Sequence, residues 1–467
     1  MLLAGNAHGR DDVGRSGERA AGVWWRRWGR RALEYGPLIL ALAATQVLSR
    51  VIWDLPNGDV DLYQNYAVAF WLHRPRLHAL PVEYPPLALA VFMLTLVPPL
   101  PWYHITFAVW MGLFVLLGYR GIRERLGRTR GYIYVLYLAI GALATMLARF
   151  DIVPALATLA ALWAVERGRF GSAYALIAAG ILLKLYPAFL LPVVAVTHWR
   201  TLAARDGPVA PAPARSPIAA LAHFARRSAT RRTARGLALC AALVLAGYLP
   251  ALVVNTAGAL SGFSYAGGRP LQIESTPAAI LWLGTIVGIP AQPDYSFTSL
   301  NYVGILDVYL KPLSAVALAA GCLWVYWRQA RGRLSTGQAF VACLAVVLVT
   351  NKIFSPQYLI WALPVVAYVE GFDLVWLAIC LLTLYEFPII YQMRRPILTV
   401  PYSWEFMPVL ALRNGLLLYA TLRAIMRPPR RAPEPTGSGP ASAHAARIAT
   451  RPSPPDERGE SAPALAG

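Results

Sequence analysis

Long apolar runs, cut at short intervals by arginine clusters, set the pattern of this chain. They are too long and too uniformly apolar to alternate as strands and predict helices. The runs lie at 33–53, 103–117, 132–148, 152–165, 170–183, 187–199, 237–254, 312–327, 339–350, 357–369, 374–390 and 406–425. A full membrane crossing takes roughly 20 apolar residues, so the shorter runs predict helices that stop at a cavity rather than cross the whole hydrocarbon layer. Arginines mark alternate ends of these runs, as the positive-inside rule requires. One further run, 86–97, is bounded by Pro85-Pro86 and Pro98-Pro99. If it crossed, Arg120, Arg123, Arg125, Arg128 and Arg130 would fall outside, so it is predicted to lie in the outer leaflet. The expected architecture is all-α and polytopic, with about 12 spans and both termini in the cytoplasm. A basic tail occupies 1–31, the membrane domain 32–426, and a Pro/Ala/Ser-rich tail expected to be disordered 427–467.

Composition narrows the function. With 57% hydrophobic and 14% charged residues and a mean hydropathy of +0.48, the chain is no soluble enzyme, for which about 25% charged is usual. Any chemistry belongs to the membrane domain. The 43 Lys and Arg against 23 Asp and Glu give a net charge of +20, which the cytoplasmic loops account for without nucleic acid. Cys240, Cys322, Cys343 and Cys380 all sit in apolar runs, without the spacing of a zinc site or the setting of a disulfide.

Once the spans are placed, most of the conspicuous polar residues meet on the outer side. They are Asp59, Asp61, Glu83, Arg149, Asp151, Lys184, Tyr186, Arg269, Glu274, Lys352 and Gln357. Ionisable groups near a bilayer are costly, so their gathering on one face points to function. Each also has a plain structural alternative: Asp59 and Asp61 as loop residues or a helix cap, Glu83 as a cap, Arg149 with Asp151 as an ion pair, Lys184 and Lys352 as snorkelling side chains. Arg413 and Glu386, inside late spans, are expected to pair with helices or lipid phosphates. The Asp59-x-Asp61 spacing is too slight to establish a metal site, and no cofactor is predicted, although a divalent ion stays open. Carboxylates beside cations suit transfer from a lipid-linked phosphate ester, one accepting a proton while the others neutralise the leaving phosphate.

Six stretches, read together, resemble glycosyltransferase family 87 of the GT-C superfamily. They are Asp59-Val60-Asp61-Leu62-Tyr63 followed by Tyr66-Ala67, Glu83-Tyr84-Pro85-Pro86, Arg149-Phe150-Asp151, Leu183-Lys184-Leu185-Tyr186-Pro187, Arg269-Pro270-Leu271-Gln272-Ile273-Glu274, and Lys352-Ile353-Phe354-Ser355-Pro356-Gln357. The family commonly has a Gly and a Pro-Tyr pair where this chain has His73-Arg74-Pro75-Arg76-Leu77-His78. The resemblance implies a GT-C helical fold with an outer-face cavity and a juxtamembrane helix. It implies a polyprenyl-phosphate sugar donor and an inverting transfer, with mannose as the expected sugar, to a lipid or glycan acceptor at the outer face of the bacterial cytoplasmic membrane. Asp59 is then the expected general base with Asp61 the alternate, and Lys184, Arg269 and Lys352 bind the donor phosphate. Arg149 is expected to orient Asp151. Glu274 and Gln357 are candidates for sugar hydroxyls, Tyr63, Tyr66 and Tyr84 for a wall to the sugar or lipid, and Glu83, Asp151 and Tyr186 complete the substrate site. A transporter or lipid-linked sugar flippase is the rival reading, opposed by the gathering of polar residues at one face rather than at the bilayer centre.

Overall fold

The computed structural model describes residues 35–36, 38–40, 42–44, 59–72, 83–96, 100–205, 228–394 and 396–428. The first predicted tail, the second beyond Pro428, most of the first predicted span, the His73 to His78 stretch and the middle of the 200–235 loop lie outside the described residues.

The described chain is helical almost throughout. Four helices are long and apolar enough to cross a membrane: Tyr103–Leu126, Ser228–Val254, Asp307–Ala330 and Phe406–Met426. At 1.5 Å per residue they exceed the roughly 30 Å of a hydrocarbon core. Shorter apolar helices, Ile152–Glu166, Phe170–Leu183, Thr336–Thr350 and Leu359–Val369 among them, pack between them. The molecule is a multi-pass membrane protein.

Burial follows the sequence of each helix. Thr336–Thr350 is buried on every side from Gln338 to Val349, and Leu359–Val369 from Leu359 to Tyr368. A helix apolar all round belongs at the centre of a bundle. Ser228–Val254 leaves Leu239, Leu245, Leu249 and Val253 exposed, and Asp307–Ala330 leaves Leu313, Val316 and Leu323 exposed, the surface that lipid tails cover. Helix starts are written locally. Ser335 and Gln338 form a reciprocal capping box, and Ser275 caps Thr276–Ile286 with Pro277 in its first turn.

The two ends of the bundle differ in charge. At one end Arg423 and Arg427 reach Asp373 and Glu370, Arg130 donates to the Ala367 carbonyl, and Arg200 donates to that of Gln329. The other end carries the cavity described below. The run expected to lie flat contains the seven-residue helix Ala88–Leu94, about 10 Å long. The Leu87 amide donates to the Leu182 carbonyl and the Tyr103 hydroxyl to that of Phe92, which ties this helix to the cavity end.

Three expectations change. The run at 132–148 is helical only to Gly141 (Arg128–Gly141), and turns lead from there to Asp151. The run at 374–390 is broken, Leu374–Leu384 giving way to a wider turn over Tyr385–Ile390 where Pro388 withholds a donor. Between the runs at 237–254 and 312–327, Ala291–Ser296 and Ser299–Gly304 pair as an antiparallel hairpin that Gln272 joins by a single bridge to Asn301, a departure from the all-helical expectation.

Candidate active site

A cavity of about 240 Å³ opens at the less basic end of the bundle. Asp59, Glu83, Tyr84, Arg149, Lys184, Arg269 and Gln357, drawn from six separated stretches of sequence, all line it. Gly262, Gln272, Ser355 and the hairpin tip complete the wall.

Asp59 and Asp61 part company here. Both belong to the first turn of Asp59–Leu72, and residues two apart on a helix do not share a face. Asp59 turns to the cavity and pairs with Arg149, Oδ2 to Nη1 2.8 Å. Asp61 points away, to the His104 imidazole at 2.6 Å. The expected Arg149–Asp151 pairing is therefore not made. Arg149 serves Asp59, while Asp151, 1% exposed, accepts from Lys184 Nζ and from Trp361 Nε1, both at 2.5 Å. Burial works against the charge on Arg149, but the Asp59 carboxylate, with Asp151 behind it, outweighs it and holds the guanidinium charged more firmly than usual.

Lys184 ends Phe170–Leu183 and looks into the cavity through a cage of rings. The faces of Tyr84, Phe150, Tyr358 and Trp361 lie 5.1 to 5.6 Å from its ammonium, within cation–π reach. Trp361 was not singled out from sequence, because a tryptophan within an apolar run reads as core or interface. It stacks between Tyr186 and Tyr358, at 4.4 and 4.0 Å, and holds Asp151. Tyr186 is thus buried behind the cage, its hydroxyl 3.3 Å from that of Thr158, and does not reach the cavity.

Glu83 receives the Tyr66 hydroxyl at 2.8 Å. Tyr63 is fully buried, stacked on Phe92 at 4.3 Å with its hydroxyl 3.4 Å from that of Tyr84. Of the three tyrosines expected in a wall, only Tyr84 lines the cavity. Burial, then Tyr63 and Asp59, keeps its phenol protonated well above the usual range.

Arg269 follows the helix Thr256–Gly268. Its Nη2 donates to Ser299 Oγ at 2.8 Å and its guanidinium stands 5.6 Å from the Tyr265 ring centre, while its Nε is buried without a partner. It makes no ion pair with the described residues, unlike Arg149 and Lys184. The other two residues assigned to this neighbourhood lie elsewhere. Lys352 Nζ donates to the carbonyls of Gly267 and Arg269, at 2.9 and 3.0 Å; an ammonium suits the negative end of that helix, and it does not line the cavity. Burial, with Lys311 and Arg269 nearby, lowers its pKa. Glu274 is 4% exposed and accepts from the Tyr391 hydroxyl at 2.9 Å and Gln272 Nε2 at 2.6 Å. Its carbonyl accepts from Arg413, whose Nη1 is 2.8 Å from Glu386. Glu274 therefore braces the strap behind Arg269 and does not meet the cavity. Arg413 and Glu386 pair with each other, as one of the two expectations had it. No group of three or more His, Cys, Asp or Glu side chains comes together as a metal site among the described residues.

No protein-family model and no curated protein matches the chain, so the resemblance to family 87 rests on the motifs themselves. Among solved structures, ArnT from Cupriavidus metallidurans bound to undecaprenyl phosphate is similar over 84% of this chain and 77% of its own, at 14% identity and a TM-score of 0.41. The apo state of ArnT gives a TM-score of 0.40 over the same shares and identity.

Proposed function

We propose that the protein is an inverting glycosyltransferase that moves a hexose, mannose by the motif resemblance, from a polyprenyl-phosphate donor to a lipid or glycan acceptor at the outer face of the membrane. The observation that supports this best is the charge layout of the cavity. Asp59 stands at its edge with three cations, Arg149, Lys184 and Arg269, around the same space, and Arg269 lacks an anionic partner among the described residues. A phosphodiester monoanion is the complement such a site lacks.

In this reading the donor phosphate sits against Arg269 and Lys184, with Arg149 within reach. Asp59 takes the proton from the acceptor hydroxyl as that oxygen bonds to the sugar C1 and the C1–O bond to phosphate breaks. The configuration at C1 inverts, and the electron pair leaves on polyprenyl phosphate. One carboxylate is enough, because the leaving phosphate needs cations rather than an acid. Arg149 holds Asp59 as an ion pair. An arriving phosphate competes for that guanidinium, which leaves the Asp59 carboxylate to meet the acceptor hydroxyl. Glu83, held by Tyr66, and Gln357, held by Ser355 at 2.5 Å, are placed to bind sugar or acceptor hydroxyls.

The test is consumption of a radiolabelled polyprenyl-phosphate mannose by the purified protein with membrane glycolipid acceptors. Transfer of label, lowered by about 10² to 10³ in Arg269→Ala, is the expected result. Label that crosses sealed vesicles without being transferred would make the chain a flippase, and wild-type rates in Arg269→Ala would remove that residue from the phosphate site.

A further inference from the structure

The hairpin carries a conformational oddity where it meets the cavity. Its two strands are joined by Phe297 and Thr298 alone, both at φ 53°. A two-residue hairpin turn of this hand favours Asn-Gly, because the left-handed region penalises a Cβ. A ring and a β-branched side chain are among the poorest occupants it can have. Backbone held in such a region persists only where its surroundings over-determine it, and it gathers at ligand clamps.

The surroundings here do so. The Tyr265 hydroxyl donates to the Phe297 carbonyl at 3.2 Å. Asn301, fully buried, donates through Nδ2 to the carbonyls of Ser296 and Ser299, at 2.9 and 3.1 Å. Arg269 holds Ser299 Oγ. The tip so fixed lines the cavity with Phe297, Thr298 and Ser299, and the Phe297 ring remains 40% exposed. Its packing partner is the Tyr265 ring, met edge-on at 5.6 Å between centres, and the rest of the side chain is open to the cavity.

We propose that the hairpin tip, Phe297-Thr298-Ser299, is the subsite that reads the sugar of the donor. The inference rests on the reading of the cavity as a donor site and adds the element that recognises the pyranose. A pyranose offers an apolar C–H face and an edge of hydroxyls. An exposed phenyl ring takes the first, and the hydroxyls of Thr298 and Ser299, which donate to the Phe297 and Ser296 carbonyls, accept from the second. The placement follows from Arg269. It binds Ser299 directly, so a sugar ester-linked to a phosphate on that guanidinium has its ring within one residue of the tip.

The test separates recognition from turn geometry by giving the turn the residues it prefers. Phe297→Asn combined with Thr298→Gly suits the backbone better than the native pair, which offsets the loss of the edge contact with Tyr265. In the full-length protein in nanodiscs, radiolabelled polyprenyl-phosphate mannose is displaced by the unlabelled sugar lipid or by bare polyprenyl phosphate, and thermal stability is measured alongside. The expected result is unchanged or raised Tm, unchanged affinity for bare polyprenyl phosphate, and a loss of about tenfold in preference for the sugar-bearing lipid, the worth of one good contact. An undiminished preference at unchanged or raised Tm overturns the proposal. Should the double variant melt early, Phe297→Leu, which keeps apolar bulk and loses the flat ring, decides it by the same ratio. A wild-type protein that binds neither lipid overturns the donor-site reading itself, an outcome distinct from loss of sugar preference alone.

Discussion

At the scale of single residues, spacing along the chain decided who faces whom, and it misled where adjacency looked like pairing. Asp59 and Asp61 stand in the sequence as first choice and alternate for the base; a helix sends residues two apart to different faces, and of the two only Asp59 lines the cavity. Asp59→Asn is expected to lower transfer by about 10² to 10⁴ with folding and donor binding kept, since Asn can still bond Arg149 but cannot take a proton. Asp61→Asn removes only the charge from its contact with His104 and is expected to turn over within a few-fold of wild type. Product formation from labelled donor by the two purified variants checks this, and the reverse ranking would move the base. Arg149 and Asp151, two apart across a turn, misled in the same way: Asp151 is reached by Lys184 and Trp361, more than thirty and two hundred positions on, pairings no local reading finds. Glu274 supports a pH prediction. Burial raises its pKa, against the opposing pull of Tyr391, Arg413 and Gln272. The folded state then holds a proton that the unfolded chain has already released, so its contribution to stability is complete at acid pH and is lost as pH climbs from the ordinary carboxylate range toward neutrality. Thermal melts across that window should slope downward with pH in the wild type and flatten in Glu274→Gln; equal slopes would show that Glu274 is not the group responsible.

At the scale of elements, most helices were legible and their boundaries less so. Phe170–Leu183 matches the apolar run that predicted it, because Arg169 precedes it and the Lys184 to Pro187 turn ends it. The hairpin was missed for equally physical reasons. Its strands carry Pro293 and little alternation, and its turn lacks the glycine that marks such turns. Backbone pairing with Leu271, Ile273 and Gln272 holds it instead, and that long-range support leaves no trace in local sequence. Elements behind the cavity are joined by charge as well as packing. Arg413 on Phe406–Met426 is fully buried, bonded to Glu386 and to the Glu274 carbonyl and set over the Phe354 ring at 4.3 Å. It therefore ties a late helix to both the Arg269 strap and the 351–357 turn. Removing it alone, as in Arg413→Met, leaves a buried carboxylate unpaired and is expected to cost about 3 to 5 kcal/mol. Arg413→Met with Glu386→Leu removes both charges and is expected to recover part of that. Unfolding measured on both variants in detergent checks the coupling, and additive losses would show that the pair does not act as a unit.

At the scale of the whole molecule, the charge difference between the two ends is the feature from which sequence reasoning drew most, since it placed Asp59, Arg149, Lys184, Arg269 and Gln357 on one side before any contact was known. The cavity end of the described structure gathers carboxylates and cations in near balance, whereas the other end carries arginines from nearly every connection. Two sites report on the two ends. Gly262 lines the cavity, and Ser335 caps the start of Thr336–Thr350 at the arginine end. The four natural cysteines are all buried, so a single introduced thiol stands out against a low background. The positive-inside rule then predicts that an impermeant maleimide applied to intact cells labels Gly262→Cys, and that it reaches Ser335→Cys only after the membrane is opened. Polyprenyl-phosphate sugars can meet Asp59 at the outer face only if this holds. Labelling of Ser335→Cys in sealed cells would invert the molecule, bring the cavity to the cytoplasmic side, and exclude an outer-face transfer while leaving every contact within the cavity unchanged.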